Sequence, residues 1–360
     1  MSTSWAAAGW GACSNRPRAG LLSPPPETAD VAFLEMGFEL LTGLALFLMG
    51  MSRLSGGLKA AAGDRLRSVL ERFTRNRYIA ALTGAAVTAL VQSSSITTVL
   101  VVGFVSAGVM TLTQSVGVIL GATVGTTMTA QVVAFDIGVW ATVLIGSGFI
   151  LGAVARRQNT RHYGDIILGL GLVFFGMTLM SAAMAPLRTY EPFIGLMHRF
   201  AEQPILALLA GAAFTALVQS SSATTGLVVV MASGGLISLG AGIALALGAN
   251  VGTCVTAVLS ALGKPVEARR AAAVHVSFNV AGALLWLPFI PVLAGWAVAL
   301  SPDFSHLEGA ARLAAETPRQ IANANTLFNA INTLAVLPFA GFLAALAVRL
   351  VPDKPPAPAA

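Results

Sequence analysis

An octet, Thr-Ala-Leu-Val-Gln-Ser-Ser-Ser, occurs twice in this chain, at 88–95 and 215–222, each time inside a long apolar run. Gln92 and Gln219 lie 127 positions apart, and the offset holds without a gap well beyond the motif. Gly-Ala-Thr-Val-Gly-Thr at 121–126 falls on Gly-Ala-Asn-Val-Gly-Thr at 248–253, and two threonines follow each octet: Thr97 and Thr98, then Thr224 and Thr225. Upstream, Gly50-Met51-Ser52 falls near Gly176-Met177-Thr178, one residue out of register. The chain therefore holds a duplicated unit, and its most polar part lies where polarity is most costly.

How costly depends on the solvent, which composition decides. Of 360 residues, 56% are hydrophobic and 10% charged, against about a quarter charged in soluble domains. Many apolar runs approach the roughly 18–20 residues that cross a bilayer core. The chain reads as an all-α polytopic membrane protein whose solvent is the lipid bilayer. Its net charge of +6 belongs to loop arginines, and no nucleic-acid partner is expected. Cys13 and Cys254 lie in a polar tail and an apolar segment, so no disulfide framework is indicated.

The composition predicts a disordered Ser/Pro/Gly-rich tail over 1–33, in which Pro24-Pro25-Pro26 ends any helix, and a transmembrane domain over 34–350. A first span covers about 36–58. Over Lys59–Arg77, Leu66, Val69, Leu70 and Phe73 recur at helical spacing among arginines, which suggests an amphipathic helix on the membrane surface. The runs 78–107 and 204–234 carry the octets at their centres and are read as re-entrant hairpins of two half-helices. Non-helical backbone is allowed at that depth only where protein or a water-filled cavity surrounds it. Other spans fall at about 111–135, 138–155, 165–184, 238–262, 271–298 and 321–349. The first repeat runs about 36–155 and the second about 165–298, with an extra final span and a Pro-rich tail over 351–360. Residues 185–203 are read as a loop.

Three full spans separate equivalent points of the repeats, and a hairpin changes no side. The second repeat must therefore be inverted relative to the first. With that topology Lys59–Arg77, Arg156–Arg161, Lys264–Arg270, Arg349 and Lys354 share one face. The other face holds Arg188, Arg199, Arg312 and Arg319 diluted by five carboxylates, Glu191, Glu202, Asp303, Glu308 and Glu316. The positive-inside rule puts the C-terminus in the cytoplasm and the N-terminus outside. Arg16 and Arg18 run against it.

Serines and threonines in membrane helices commonly pack and bond back to the preceding turn. A glutamine is harder to bury, because its amide needs both donors and acceptors. Inverted hairpins would bring two Gln-Ser-Ser-Ser turns together near the midplane, where half-helix N-termini aim N–H groups at one spot. Hydroxyls, amides and exposed carbonyls there suit an oxyanion together with sodium. The two Gly-Ala-x-Val-Gly-Thr segments read as breaks in the following spans, with Thr123, Thr126, Asn250 and Thr253 supplying oxygens; the competing reading is close glycine-mediated packing. His275 with Phe278-Asn279 has an echo in Asn325 with Phe328-Asn329, and each is followed by Leu-Pro-Phe. His275 is read as a satisfied structural hydrogen-bonder.

The doubled Gln-Ser-Ser-Ser, the Gly-Ala-Asn-Val-Gly-Thr segment and the stretch from His275 to Trp286 resemble the type II sodium–phosphate cotransporter family, over about 36–345. The resemblance implies sodium-coupled symport of inorganic phosphate by alternating access, in a bacterial inner membrane. Carried over by position, Gln92, Ser93, Ser94 and Ser95 and Gln219, Ser220, Ser221 and Ser222 would bind phosphate. Ser95, Thr97, Thr98, Thr123, Thr126, Ser222, Thr224, Thr225, Asn250 and Thr253 would serve sodium, the coupling ion, with no cofactor and no transition metal. A homodimer is left open. Many bacterial members continue into a domain similar to phosphate-uptake regulators; with Ala360 as the last residue, none is expected here. The first repeat also lacks a His-x-x-Phe-Asn element.

Rival classes are weaker. A serine hydrolase needs a base beside its serine, and no histidine accompanies the first octet. A channel needs a continuous polar pore. A phosphate sensor, or a carrier of sulfate or another oxyanion, remains open, because hydroxyls and amides do not distinguish tetrahedral anions.

Overall fold

Apolar runs carrying the octet or Leu-Pro-Phe become helix pairs, and the run over 239–261 is divided at Thr253. The computed structural model describes residues 26–63, 69–70, 76–135 and 138–353, with side chains from 33 onward. In chain order the helices are α1 (Pro26–Ala62), α2 (Arg77–Val91), α3 (Ser94–Ser106), α4 (Leu112–Val133), α5 (Ala141–Val154), α6 (Gln158–Ala183), α7 (Glu191–Glu202), α8 (Pro204–Val218), α9 (Ser221–Ser233), α10 (Leu239–Gly252), α11 (Cys254–Ala261), α12 (Val266–Trp286), α13 (Ile290–Ala299), α14 (Gly309–Val336) and α15 (Ala340–Leu350). Among the described residues there is no strand, and six helical segments are long and apolar enough to cross a membrane. Leu82, Phe149, Leu217, Leu284 and Phe342 stand exposed around the outside, the surface expected where the solvent is hydrocarbon. This is an all-α polytopic membrane protein.

Backbone contacts fix the directions of the helices. Gly43 abuts Gly176, Gly50 abuts Gly169, and Gly57 abuts His162, so α1 and α6 run antiparallel. These two helices open the two repeats, and their opposition is what inversion requires. In α2 and α4 the contacts advance together: Arg77 with Gly117, Ala81 with Gly121, Ala85 with Gly125. The helices are parallel, so α3 must return the chain to the face that α2 left. The second repeat does the same, with Leu208 against Gly248 and Ala212 against Gly252. Both hairpins are re-entrant.

Of the two breaks expected at Gly-Ala-x-Val-Gly-Thr, the first is corrected and the second is found. α4 runs unbroken through 121–126. In the second repeat the helix is interrupted at Thr253, between α10 and α11, where Thr256 N–H reaches the Thr253 carbonyl at 3.2 Å, and the two pieces together still form one candidate span, Leu239–Ala261. The glycines serve the competing reading. A Cβ on Gly121 would lie 1.8 Å from the Ala81 carbonyl oxygen, and one on Gly248 would lie 2.0 Å from that of Leu208. They let backbones touch, the small-residue packing that lipid favours.

Two further interruptions lie at prolines. Pro288 and Pro338 sit in 3₁₀ turns, Leu287–Phe289 and Leu337–Phe339, which separate α12 from α13 and α14 from α15. A proline removes one ladder donor and crowds the preceding turn. α12 packs on α3 and α4, and α14 packs on α9 and α10, so these two helices occupy corresponding positions. Their sequences agree at an offset of 50, from Arg269 and Arg319 through Phe278-Asn279 and Phe328-Asn329 to the two Leu-Pro-Phe turns.

Two further expectations change. Pro26 starts α1 rather than ending a helix, a position where its missing N–H costs nothing. The expected loop at 185–203 contains α7, which meets α8 at 112°. Its Met197 and Phe200 pack on the core. With Phe193 and Leu196, they stand 127 positions after Leu70, Phe73, Leu66 and Val69. That earlier amphipathic stretch lies largely outside the described residues, although Leu70 is buried.

Candidate functional site

Each hairpin turns on its glutamine. Gln92 has φ 56° and Gln219 φ 59°, and among the described residues they are the non-glycine positions with positive φ. A left-handed residue of this kind costs about 1–2 kcal/mol, and the cost appears at the same place twice. Each glutamine N–H closes on a threonine carbonyl, Thr88 or Thr215, at 2.7 Å. The next residue is extended and caps the second half-helix: Ser93 Oγ accepts from Ile96 N–H at 3.4 Å, and Ser220 Oγ from Ala223 N–H at 3.2 Å. The two half-helices are tied by Thr88 Oγ1 to Thr97 Oγ1 at 2.8 Å and by Thr215 Oγ1 to Thr224 Oγ1 at 2.6 Å, all buried. Ser55 of α1 adds a 2.5 Å hydrogen bond to the Val91 carbonyl. Two helix N-termini, α3 and α9, are held rigidly at the turns, and their first N–H groups have no intrahelical partner.

The motif copies meet through residues that the sequence reading left out. Thr129 of α4 donates to Gln92 Oε1 and accepts from Ser222 Oγ at 3.5 Å. Thr256 of α11 bonds Ser95 Oγ at 2.9 Å. Thr129 and Thr256 are themselves 127 positions apart, as are Ser95 and Ser222. Each hairpin serine thus bonds a helix of the opposite repeat, and the two bonds are related by the internal symmetry. The signal was present: Thr-Ala recurs at 129–130 and 256–257, inside a stretch that otherwise diverges.

A small polar pocket lies at this crossing. Ser221, Ser222 and Thr225 of the second hairpin line it, with Thr126, Thr129 and Asn250 among the facing groups, and Asn325 of α14 closes it. Asn250 Nδ2 donates to Asn325 Oδ1 at 3.0 Å and to the Ala246 carbonyl at 2.9 Å. Neutral hydroxyl and amide oxygens face each other here, the donor set for a hard monovalent cation, beside the N-terminus of α9.

The remaining candidates sit as follows. Thr97 and Thr224 brace the hairpins. Thr123, Thr126 and Thr253 donate to their own helix carbonyls at Leu120, Ala122 and Ala249, at 2.7, 3.0 and 2.9 Å. Ser94 and Ser221 occupy the first turns of α3 and α9, and Gln219 is exposed. Thr98 Oγ1 is buried without a partner. His275 is a correction: it is buried, and neither ring nitrogen has a hydrogen-bond partner. Its counterpart Asn325, by contrast, accepts at Oδ1 from both Asn250 and Asn329.

Comparison with known proteins places the chain in a family. The model of the Na+/Pi-cotransporter family matches residues 46–182 and 189–301. The chain is 35% identical over 262 residues to the "Uncharacterized protein YqeW" of Bacillus subtilis, covering 72% of this chain and 84% of that protein. It is 32% identical over 256 residues to the "Putative inorganic phosphate export protein YjbB" of Escherichia coli K12, covering 71% of this chain and 47% of that one. A shorter match, 46% over 92 residues, joins it to the human sodium-dependent phosphate transport protein 2C, over 24% of this chain and 15% of the human protein. This chain thus spans just under half of the E. coli protein. No solved structure matches it. The matched stretches take in both octets and cover most of the chain, and the chain belongs to the Na+/Pi-cotransporter family.

Proposed function

We propose that this chain carries inorganic phosphate coupled to sodium, by alternating access, with no cofactor beyond the coupling ion. The observation that supports it best is the crossed pair of bonds, Ser95 to Thr256 and Ser222 to Thr129. A substrate seated at the two turns would touch both repeats at once, so the repeats' relative position and its occupancy are coupled. Phosphate oxygens would take the free N–H groups and hydroxyls of Ser94, Ser95, Ser221 and Ser222. Sodium would take the neutral oxygens of Thr126, Thr129, Ser222, Thr225 and Asn250. Either ion alone leaves a desolvated charge without a partner, so each raises the other's affinity.

The membrane orientation belongs to the same proposal. The arginine-rich connections face the cytoplasm, the first hairpin opens there, and the second opens outside. Cysteines introduced at Thr160 and Pro265 should react with an impermeant thiol reagent only from the cytoplasm. Those at Thr189 and Ser305 should react only from outside. Labelling of Thr160 and Thr189 from one side would overturn the orientation.

Direction of net flux follows the gradients: a reversible carrier exports when phosphate is abundant inside and the inward sodium gradient is small. Substrate identity is tested by flux of labelled phosphate into proteoliposomes in the presence of excess sulfate. Retained flux supports phosphate. Equal competition by sulfate at the same concentration would make this a general oxyanion carrier.

A further inference from the structure

The offset of 50 between α12 and α14, with the offset of 127 between α4 and the α10–α11 segment, relates two crevices on opposite faces. Arg270 Nε donates to the Val351 carbonyl at 3.0 Å, so the start of α12 lies at the face where α15 ends. Arg319, near the start of α14, lies at the other face, where Asn323 Nδ2 reaches the Leu300 carbonyl at 3.2 Å.

At the Arg319 face the crevice is filled by polar groups. Gln131 Nε2 donates to Asn323 Oδ1 at 3.1 Å and to Thr326 Oγ1 at 2.9 Å. Arg319 Nη1 donates to Gln131 Oε1 at 2.9 Å, and its guanidinium lies 3.8 Å from the centre of the Phe135 ring. The corresponding residues at the other face are apolar: Val258 for Gln131, Leu262 for Phe135, Ala273 for Asn323 and Val276 for Thr326. They line an open crevice of about 300 Å³, together with Leu350 and Arg269. Nothing there replaces the network. Arg269 Nε is buried without a hydrogen-bond partner, while its neighbour Arg270 is ion-paired to Asp353 at 3.1 Å.

An apolar crevice at the edge of a bilayer, with an unpaired guanidinium inside its mouth, matches one chemistry: an anion carried on a hydrocarbon chain. We infer that this crevice is a binding site for an anionic phospholipid, its phosphate on Arg269 and an acyl chain along Val258, Leu262 and Val276. Arginine suits the headgroup because its planar fork pairs with two phosphate oxygens. At the start of α12 Lys264, Arg269 and Arg270 outnumber Glu267 and Asp353, and interhelical sites for anionic headgroups are basic in this way. The free substrate phosphate has no use for the hydrocarbon walls, and the site lies apart from the hairpin pocket.

The test is lipid binding by the purified full chain in detergent, titrated with phosphatidylglycerol and followed by native mass spectrometry. Binding should weaken roughly ten-fold or more in Arg269→Ala and also in Ala273→Trp, which fills the crevice. Arg269→Lys should weaken it less than Arg269→Ala does, and Arg319→Ala should leave it unchanged. Phosphatidylcholine should bind more weakly, and inorganic phosphate should not displace the lipid. Equal binding of phosphatidylglycerol by wild type, Arg269→Ala and Ala273→Trp would overturn the inference. So would displacement by inorganic phosphate at transport concentrations, which would make Arg269 part of the substrate path. The readout is independent of transport, so it stands or falls separately from the proposed carrier activity.

Discussion

Phosphate flux should fall roughly ten- to hundred-fold in Ser221→Ala, and by a similar factor in Ser94→Ala, at equal amounts of protein in the membrane. Both serines occupy the first turn of a half-helix whose N-terminus is fixed at the turn of its hairpin. Ser221 also lines the pocket at the crossing of the repeats. Neither hydroxyl belongs to the ties that hold the hairpins, which are made by Thr88, Thr97, Thr215 and Thr224. Their removal should therefore spare the fold. A lost hydrogen bond to a charged ligand costs about 1.5–3 kcal/mol, which corresponds to the expected range. Flux assays in proteoliposomes, normalised to reconstituted protein, read this directly. Near-normal flux in both variants would return the octets to a packing role.

The second large effect concerns folding. Gly121→Ala should remove most folded protein from the membrane, and Gly248→Ala should act alike. The added Cβ would stand 1.8 Å from the Ala81 carbonyl oxygen in one case and 2.0 Å from that of Leu208 in the other. These neighbours are helix backbone, which cannot swing aside as a side chain can. Overpacking a core commonly costs about 1–3 kcal/mol, and a clash of backbone with backbone should exceed it, because each hairpin must part from the helix that supports it. Gly103→Ala, with open space around the new methyl, is the matched control. Thermal unfolding in detergent by fluorescence-detected size exclusion would show the difference. A Gly121→Ala protein as stable as the control would mean that α2 and α4 do not pack at this distance.

Much of this architecture was legible because the chain states it twice. The octets announced the hairpins, and arginine placement with span parity announced the inversion, which α1 and α6 bear out by running antiparallel. The glycines misled at 121–126, where α4 is continuous, because one residue serves two ends: glycine permits a broken helix and equally permits touching helices. Only the partner decides between them, and Ala81 and Leu208 are not visible from residues 121 or 248. The proline turns at 288 and 338 interrupt spans that read as continuous in the sequence. Thr129 and Thr256 escaped notice because a threonine in a membrane helix is ordinary until its partner is known. Their shared offset with Ser95 and Ser222 was the available clue. His275 was misjudged for a related reason, since satisfaction of a ring nitrogen is a tertiary fact.

Sodium-gradient-driven flux is the measurement closest to the central proposal. Among the groups that line the crossing pocket there is no carboxylate, and a proton-driven carrier normally holds an ionisable relay in the membrane. Proteoliposomes containing the full chain would be given an inward sodium gradient at equal pH, or a pH gradient in sodium-free buffer, and labelled phosphate followed. The account predicts accumulation with the sodium gradient, collapse when a sodium ionophore is added, and no accumulation with the pH gradient alone. Accumulation driven by the pH gradient without sodium, and lost in His275→Ala, would contradict it.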